Sequence, residues 1–494
     1  MSSTANSASV YGGDEINAIV LDPGSYHTRI GYAGDDFPKV ITSSYYASAS
    51  NEPMEAEKED SKIGSKSTKR IFGDAIDVPR SNYNVHPILK DSVIVDWDAA
   101  LDQYHHFFKN VMNVTYEEQP VLITEPVWAE PKYRQTLVEN FFEYYDFPAL
   151  YLAKAPSCVS FQQGRPNCLV VDIGHDSVSV TPVIDGICMM KNTMRTHYAG
   201  QFLVDQVQDH LAKYKDLSVE GTYKIKSKTP TVYPENAEFT TRTLPEDITA
   251  SYDEYQKSKI WHEFRETMLE VPERKLANNN MQQSATMKEF YTSDANTRLF
   301  EFPTGQSLSL NYDRFVFADS IFDPSIYKFA NQELTSKYPP NNGVLSIKSK
   351  YDDYRPLKRV RKAESNQSTP PPGDSPTKPS KNGKHEVRGL SQLITHTLST
   401  IDIDLRTSVA HNIIVTGGVS LVPQLTERLY NELTNTNPGL KIRLHAVGNS
   451  TERLNQAWIG GSVLASLGTF HQMWVSKHEY EEAGAERILN QRFR

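Results

Sequence analysis

Cysteine is nearly missing from this sequence, with three in 494 residues. Cys158, Cys168 and Cys188 are odd in number, lack metal-ligand spacing and sit in apolar stretches. They are therefore expected to be reduced core thiols, and a disulfide scaffold is excluded. No uncharged apolar run reaches 18 residues, so a membrane span is not expected. The opening Met1-Ser-Ser-Thr-Ala-Asn-Ser-Ala-Ser stretch is polar and carries no apolar signal core, which predicts residence in the cytosol or nucleus. An excess of positive charge is also lacking. The chain has 52 Lys and Arg against 61 Asp and Glu, a net −9, which argues against a surface that clings everywhere to phosphate backbones.

What is present is the composition of an ordinary folded chain: 38% hydrophobic, 23% charged, 28 Pro and 25 Gly. That excludes collagen-like and wholly disordered classes, and the length alone suggests about three units. Two stretches interrupt the pattern. Residues 48–70 are polar and nearly free of large apolar side chains, as an exposed variable loop would be. Residues 348–388 hold 11 Lys and Arg against 5 Asp and Glu, with five prolines between Pro370 and Pro379. This basic, Pro-rich insert is expected to be disordered. Its Pro356-Leu-Lys-Arg-Val-Arg-Lys362 run reads either as a solvated linker or as a nuclear-localisation or nucleic-acid-touching segment.

Elsewhere strands and helices alternate. Ile16–Asp22, Cys168–Asp172 and His411–Thr416 read as buried strands, each ending at a glycine-containing turn. Helical patterns cover Gln201–Lys213, Tyr252–Leu269, Pro423–Thr434 and Gln456 to the end, and the whole of Leu217–Asn296 reads as a divergent helical region.

The strongest internal signal is an echo. Ala18-Ile-Val-Leu-Asp22-Pro-Gly24 and Cys168-Leu-Val-Val-Asp172-Ile-Gly174 are each an apolar strand, an Asp, one residue and a Gly, 150 residues apart. Such spacing predicts two related halves. A strand ending in Asp-x-Gly puts a carboxylate at the sheet edge where α/β sheets take ligands, while the Gly lets backbone N–H groups approach an anion. Phosphate would suit the amides and repel the Asp, so a cation such as Mg²⁺ belongs between them. Two facing turns would clamp a nucleotide's phosphates, and Thr416-Gly417-Gly418-Val419 would let a nucleoside lie against the backbone.

These residues carry a family resemblance. Val20-Leu-Asp-Pro-Gly-Ser25 with Gly31-Tyr-Ala-Gly-Asp-Asp36, Val121-Leu-Ile-Thr-Glu125-Pro, Asn412-Ile-Ile-Val-Thr-Gly-Gly418, Trp458 to Trp474 and the closing Ser476–Gly484 segment resemble actin from about residue 16 to 494. The Tyr11–Glu15 entry, the Gly164–Cys168 turn, the basic insert and the Arg492-Phe-Arg494 end resemble the superfamily's nuclear actin-related branch. The resemblance implies an α/β actin-like ATPase fold of two pseudo-related lobes around a nucleotide cleft, each with a smaller subdomain. A flexible N-terminus would span 1–15. The first lobe would span 16–164, completed by 453–494, and the second 165–347, completed by 389–452, with a divergent subdomain at about 205–296.

Carried over residue by residue, the resemblance assigns Asp22 and Asp172 to a water-mediated metal, and ATP with Mg²⁺ as cofactors. It assigns Gly24, Ser25, Tyr26 and His27 to the first phosphate turn, Gly174, His175, Asp176 and Ser177 to the second, Gly200 to nucleotide binding, and Arg265 and Glu266 to the adenosine side. Gly417, Gly418, Val419 and Leu421 complete the nucleoside side. Departures from the family concern hydrolysis. Ala155 stands where actin has the glutamine that positions the attacking water, and a methyl group cannot orient water. Ser179 replaces a histidine that assists it. Tyr26 replaces a glycine, Arg29 a lysine, His175 an aspartate and Leu454 a lysine. The expectation is an ATP-bound, hydrolysis-poor, non-filament-forming protein without a catalytic residue. By resemblance it is a nuclear subunit of histone acetyltransferase and nucleosome-remodelling complexes, paired with actin on a helicase-SANT-associated helix and engaging histones or nucleosomes. An active hydrolase and a scaffold with an empty cleft are the alternatives.

Overall fold

The computed structural model describes residues 17–49, 70–276, 281–339, 345–346, 389–446 and 448–493. The expected N-terminal arm, most of the 48–70 loop and the 348–388 insert with its basic run lie outside them.

Two sheets carry the echo into three dimensions. In the first the strands run Val475–Ser476, Ala149–Lys154, Val121–Glu125, Ile19–Pro23, His27–Tyr32, Val40–Ser43. In the second they run Leu345–Ser346, Met194–Thr196, Val178–Ile184, Cys168–Ile173, Ile413–Thr416, Leu444–His445. Each central strand pairs antiparallel with the strand that follows it and parallel with one from far along the chain. Both centres are largely apolar, and all but the half-buried Asp172 are covered, as strands between helix layers must be. Register places Asp22 opposite Arg29 and Asp172 opposite Ser179. The two turns close the same way: Gly24 N–H donates to the His27 carbonyl at 3.1 Å and Gly174 N–H to that of Ser177 at 3.0 Å.

The chain leaves the first sheet through helix Ala155–Gln162 and returns to it through helix Gln456–Ser466. These helices cross in close contact, and Trp458, fully buried, donates Nε1–H to the Val20 carbonyl at 3.0 Å. The lobes also meet in a second cluster. Ala47, Ile76 and Val85 of the first pack with Tyr223, Tyr252 and Tyr255 of the second. The Tyr252 hydroxyl donates to the Asp77 carbonyl at 2.8 Å.

Two expectations need correction. Residues 217–296 are not wholly helical, because Ile225–Thr229 and Glu238–Thr241 form a β-hairpin ahead of helix Ala250–Met268. The stretch from Gln456 onward is broken after Ser466. Val475–Ser476 pairs there with Ala149 and Leu150, and two short helices follow, parted at Gly484, where φ is +76°. Helix Gly200–Leu211 packs into the second lobe's core. The three cysteines are free and buried, and burial pushes their thiols above the usual range. No described helix is long and apolar enough to cross a membrane.

Candidate functional site

The two strand-end carboxylates face one another across the lobes in unequal surroundings. One oxygen of Asp22 accepts from the Thr124 hydroxyl. The other lies 3.4 Å from the Arg29 guanidinium, whose Nε–H donates to Asn455 Oδ1 at 2.6 Å. Asp172 has only Ser179 in the register position that Arg29 fills for Asp22. Burial, then the charge of Asp22, pushes the Asp172 carboxyl up to about 6, with Arg29 opposing. A buried carboxylate without its own counter-charge is a place that favours a cation. Among the described residues no group of three or more His, Cys, Asp and Glu could hold a metal, so a cation here would depend on the carboxylate pair, water and ligand oxygens.

Between the turns sits the tip of a hairpin, Leu89–Lys90 with Val93–Ile94. Asp91 and Ser92 at the tip have φ of 56° and 58°. Ser92 N–H donates to Ser25 Oγ at 2.7 Å and Asp91 N–H to Asp176 Oδ2 at 2.7 Å. The Asp91 carboxylate pairs with Arg195, whose guanidinium lies 4.8 Å from the Trp128 ring centre. Trp128 Nε1–H in turn donates to the Asp91 carbonyl at 2.9 Å. One hairpin therefore ties both turns together.

A ring cluster and a buried guanidinium complete the wall. Arg265, 3% exposed, lies so close to Gly200 that a Cβ there would collide with it, which explains the glycine. Its NH2 group approaches His262 Nε2 at 3.0 Å and Glu266 Oε1 at 3.1 Å, yet its Nε–H has no partner. His175 Nδ1 is likewise buried and unpartnered. Burial lowers His27 and His175 to about 4 and His262 to about 2, and the Arg29 or Arg265 charge adds to it. Unpaired buried polar atoms are costly. Two in one cleft mark it as built for something polar.

The expected residues fall into groups. Asp22, Gly24, Ser25, Tyr26, His27, Asp172, Gly174, His175, Asp176 and Ser177 lie on the facing turns, with Gly200 and Arg265 against the second. Val419 packs beside Gly200. Glu266 points outward at 59% exposure. Gly417 has a steric requirement of its own: its φ is +89°, and a Cβ would strike the Asp172 carboxylate and the Ile173 carbonyl, so the glycine admits the neighbouring strand end. Gly418 begins a short 3₁₀ turn ending at Leu421, with Leu454 Cδ2 3.5 Å from where its Cβ would stand. Ala155 opens the crossing helix, next to Lys154, which is buried against Glu125 at 2.8 Å. The sequence reading missed Thr124, the Asp91–Ser92 tip, Asn455 and His262. His262 was within reach: it lies three residues before Arg265, on the same helix face.

Comparison with known proteins places this arrangement. The family model described as actin matches residues 13–494. The chain is 68% identical to actin-related protein 4 of Debaryomyces hansenii over all of both chains. It is 58% identical to actin-related protein 4 of Candida albicans, over 99% of this chain and all of the relative. Against actin-related protein 4 of Saccharomyces cerevisiae the identity is 35%, over 98% of this chain and 99% of the relative. With its paired sheets, twin Asp-x-Gly turns and crossing helices, the chain belongs to the actin family.

Proposed function

We propose that this chain is an ATP-binding, hydrolysis-poor, non-filament-forming actin-related subunit of nuclear chromatin-modifying assemblies. The fold family holds a nucleotide with a divalent metal in its cleft. The observation that carries the nucleotide part is the cleft itself: Asp172 has no ion-pair partner of its own, the Arg29 charge near it being paired with Asp22, while His175 Nδ1 and Arg265 Nε–H are buried without partners. These residues fit a polyphosphate with Mg²⁺. The backbone of the two turns and Ser25 would hold phosphate, Asp22 and Asp172 would hold the cation through water, and Arg265 and Gly200 would border the nucleoside. Bound Mg²⁺ would supply charge neutralisation between phosphate and carboxylate.

Poor hydrolysis is inferred from Ala155, whose methyl group cannot orient water, and from Ser179, which lacks the imidazole that assists it in the family. The assembly part rests on resemblance, supported by relatives named actin-related protein 4 along the whole chain. It comprises nuclear histone acetyltransferase and remodelling complexes, pairing with actin on a helicase-SANT-associated helix, and histone or nucleosome engagement.

Native mass spectrometry of the purified protein will find ATP. In single-turnover assays the unmodified protein will retain it, and Ala155→Gln will hydrolyse it at least tenfold faster. Actin-like turnover by the unmodified protein would establish the hydrolase instead, and an empty cleft would establish the scaffold. Affinity purification from nuclei is expected to bring down actin and histones, and their absence would refute the assembly reading.

A further inference from the structure

The ring cluster joins three elements that otherwise belong to opposite lobes. Tyr26 comes from the first turn, His175 from the second and His262 from helix Ala250–Met268. The Tyr26 and His262 rings stack at 4.0 Å with planes 6° apart, and Tyr26 is 4.9 Å from the His175 ring. The position corresponding to Tyr26 in the second turn is Asp176, which is occupied with Asp91, so the echo does not require a ring here.

Tyr26 neighbours Arg265 and His175, which own the unpartnered buried nitrogens. It also interacts with Tyr255, a member of the apolar cluster that joins the lobes, and with Tyr45, which packs against that cluster. A ligand held by those nitrogens would lie beside a stack with one ring on each lobe. Opening the lobes must part it. His262 is half-buried beside Arg265, and its lowered affinity for protons keeps the stack uncharged at neutral pH.

We propose that Tyr26 and His262 form a cross-lobe aromatic gate that retains a nucleoside polyphosphate in the cleft and limits its release. The inference rests on the nucleotide reading above. It makes the nucleotide a resident group of the fold rather than a rapidly exchanged signal.

The test is release of bound fluorescent etheno-ATP from the full-length protein, chased with excess ATP and Mg²⁺. Tyr26→Ala and His262→Ala should each speed release about three- to tenfold, the worth of an aromatic pair. Tyr26→Phe and His262→Phe, which keep a ring, should stay within twofold of the unmodified protein. Should Tyr26→Ala fail to fold, His262→Ala tests the same contact from the helix side. Alanine variants that release at the unmodified rate, or phenylalanine variants as fast as the alanine ones, would overturn the gate while leaving nucleotide binding intact. Failure of the unmodified protein to take up etheno-ATP would overturn the nucleotide reading and the gate with it.

Discussion

Gly460→Ala will cost about 3 kcal/mol or more, at or beyond the upper end of overpacking effects, whereas Gly461→Ala one residue along will be close to neutral. Both glycines lie inside helix Gln456–Ser466, where alanine is intrinsically better by about 1 kcal/mol. Propensity alone thus predicts two stabilised variants. The surroundings separate them. A Cβ on Gly460 would fall on the carbonyl oxygen and carbon of Cys158, with the Cys158 Cα only 3.0 Å away. Those are backbone atoms of the other crossing helix, Ala155–Gln162, and can yield only if the helices move apart. A Cβ on Gly461 would meet Leu122 Cδ2 and Val20 Cγ1, both at 3.1 Å. These are side-chain ends that can shift by the few tenths of an ångström required. Because these two helices carry the chain between the lobes, separating them also misaligns the turns that hold Asp22 and Asp172. Urea unfolding followed by circular dichroism measures the midpoints. A midpoint for Gly460→Ala equal to that of Gly461→Ala would show that the crossing is not so tight.

The twin turns were legible because the echo is written in local sequence: apolar strand, Asp, one residue, Gly. Strand burial and turn geometry followed without tertiary information. The hairpin at Ile225–Thr229 was not, because only Ile225 of that strand is buried and the alternating signal is absent. The break after Ser466 is also tertiary in origin, since Val475–Ser476 becomes a strand only by pairing with Ala149–Leu150. Within the site, a residue such as Asp172 announces itself by its motif. Gly417 did too, but its steric constraint against Asp172 and Ile173, some 240 positions earlier, is one that no local pattern encodes. The Asp91–Ser92 tip reads in sequence as a plain turn, and only folding brings it against Ser25 and Asp176.

Asp172→Asn should make the nucleotide-free protein more stable at neutral pH and weaken its hold on Mg²⁺-nucleotide. The Asp172 carboxyl keeps its proton up to about pH 6 in the folded chain, chiefly because it is buried and secondly because it faces Asp22. An unfolded Asp releases its proton near 3.9. Between roughly pH 4 and 6 the folded state therefore binds a proton that the unfolded state has lost. Stability must fall as pH rises through that window, and above it the penalty stays constant. A displacement of this size corresponds to about 2–3 kcal/mol. Asparagine keeps the shape that fits against Gly417 and carries no charge, so it removes the penalty. The stability gained by the variant should be near zero below pH 4, grow to pH 6 and then level off, when both proteins are unfolded in chelator across that range. Adding Mg²⁺ and ATP should reverse the order, because the cation offsets the buried charge only where a charge exists. Loss of one such water-mediated partner is expected to weaken metal-nucleotide binding about 10- to 100-fold. Parallel pH profiles for the two proteins in chelator would show that Asp172 bears no such strain, and equal stabilisation of both by Mg²⁺-ATP would remove it from the cation site. The same carboxylate that costs the empty fold stability is what makes the filled one tight, which is the trade expected where a site is built for a ligand rather than for the chain alone.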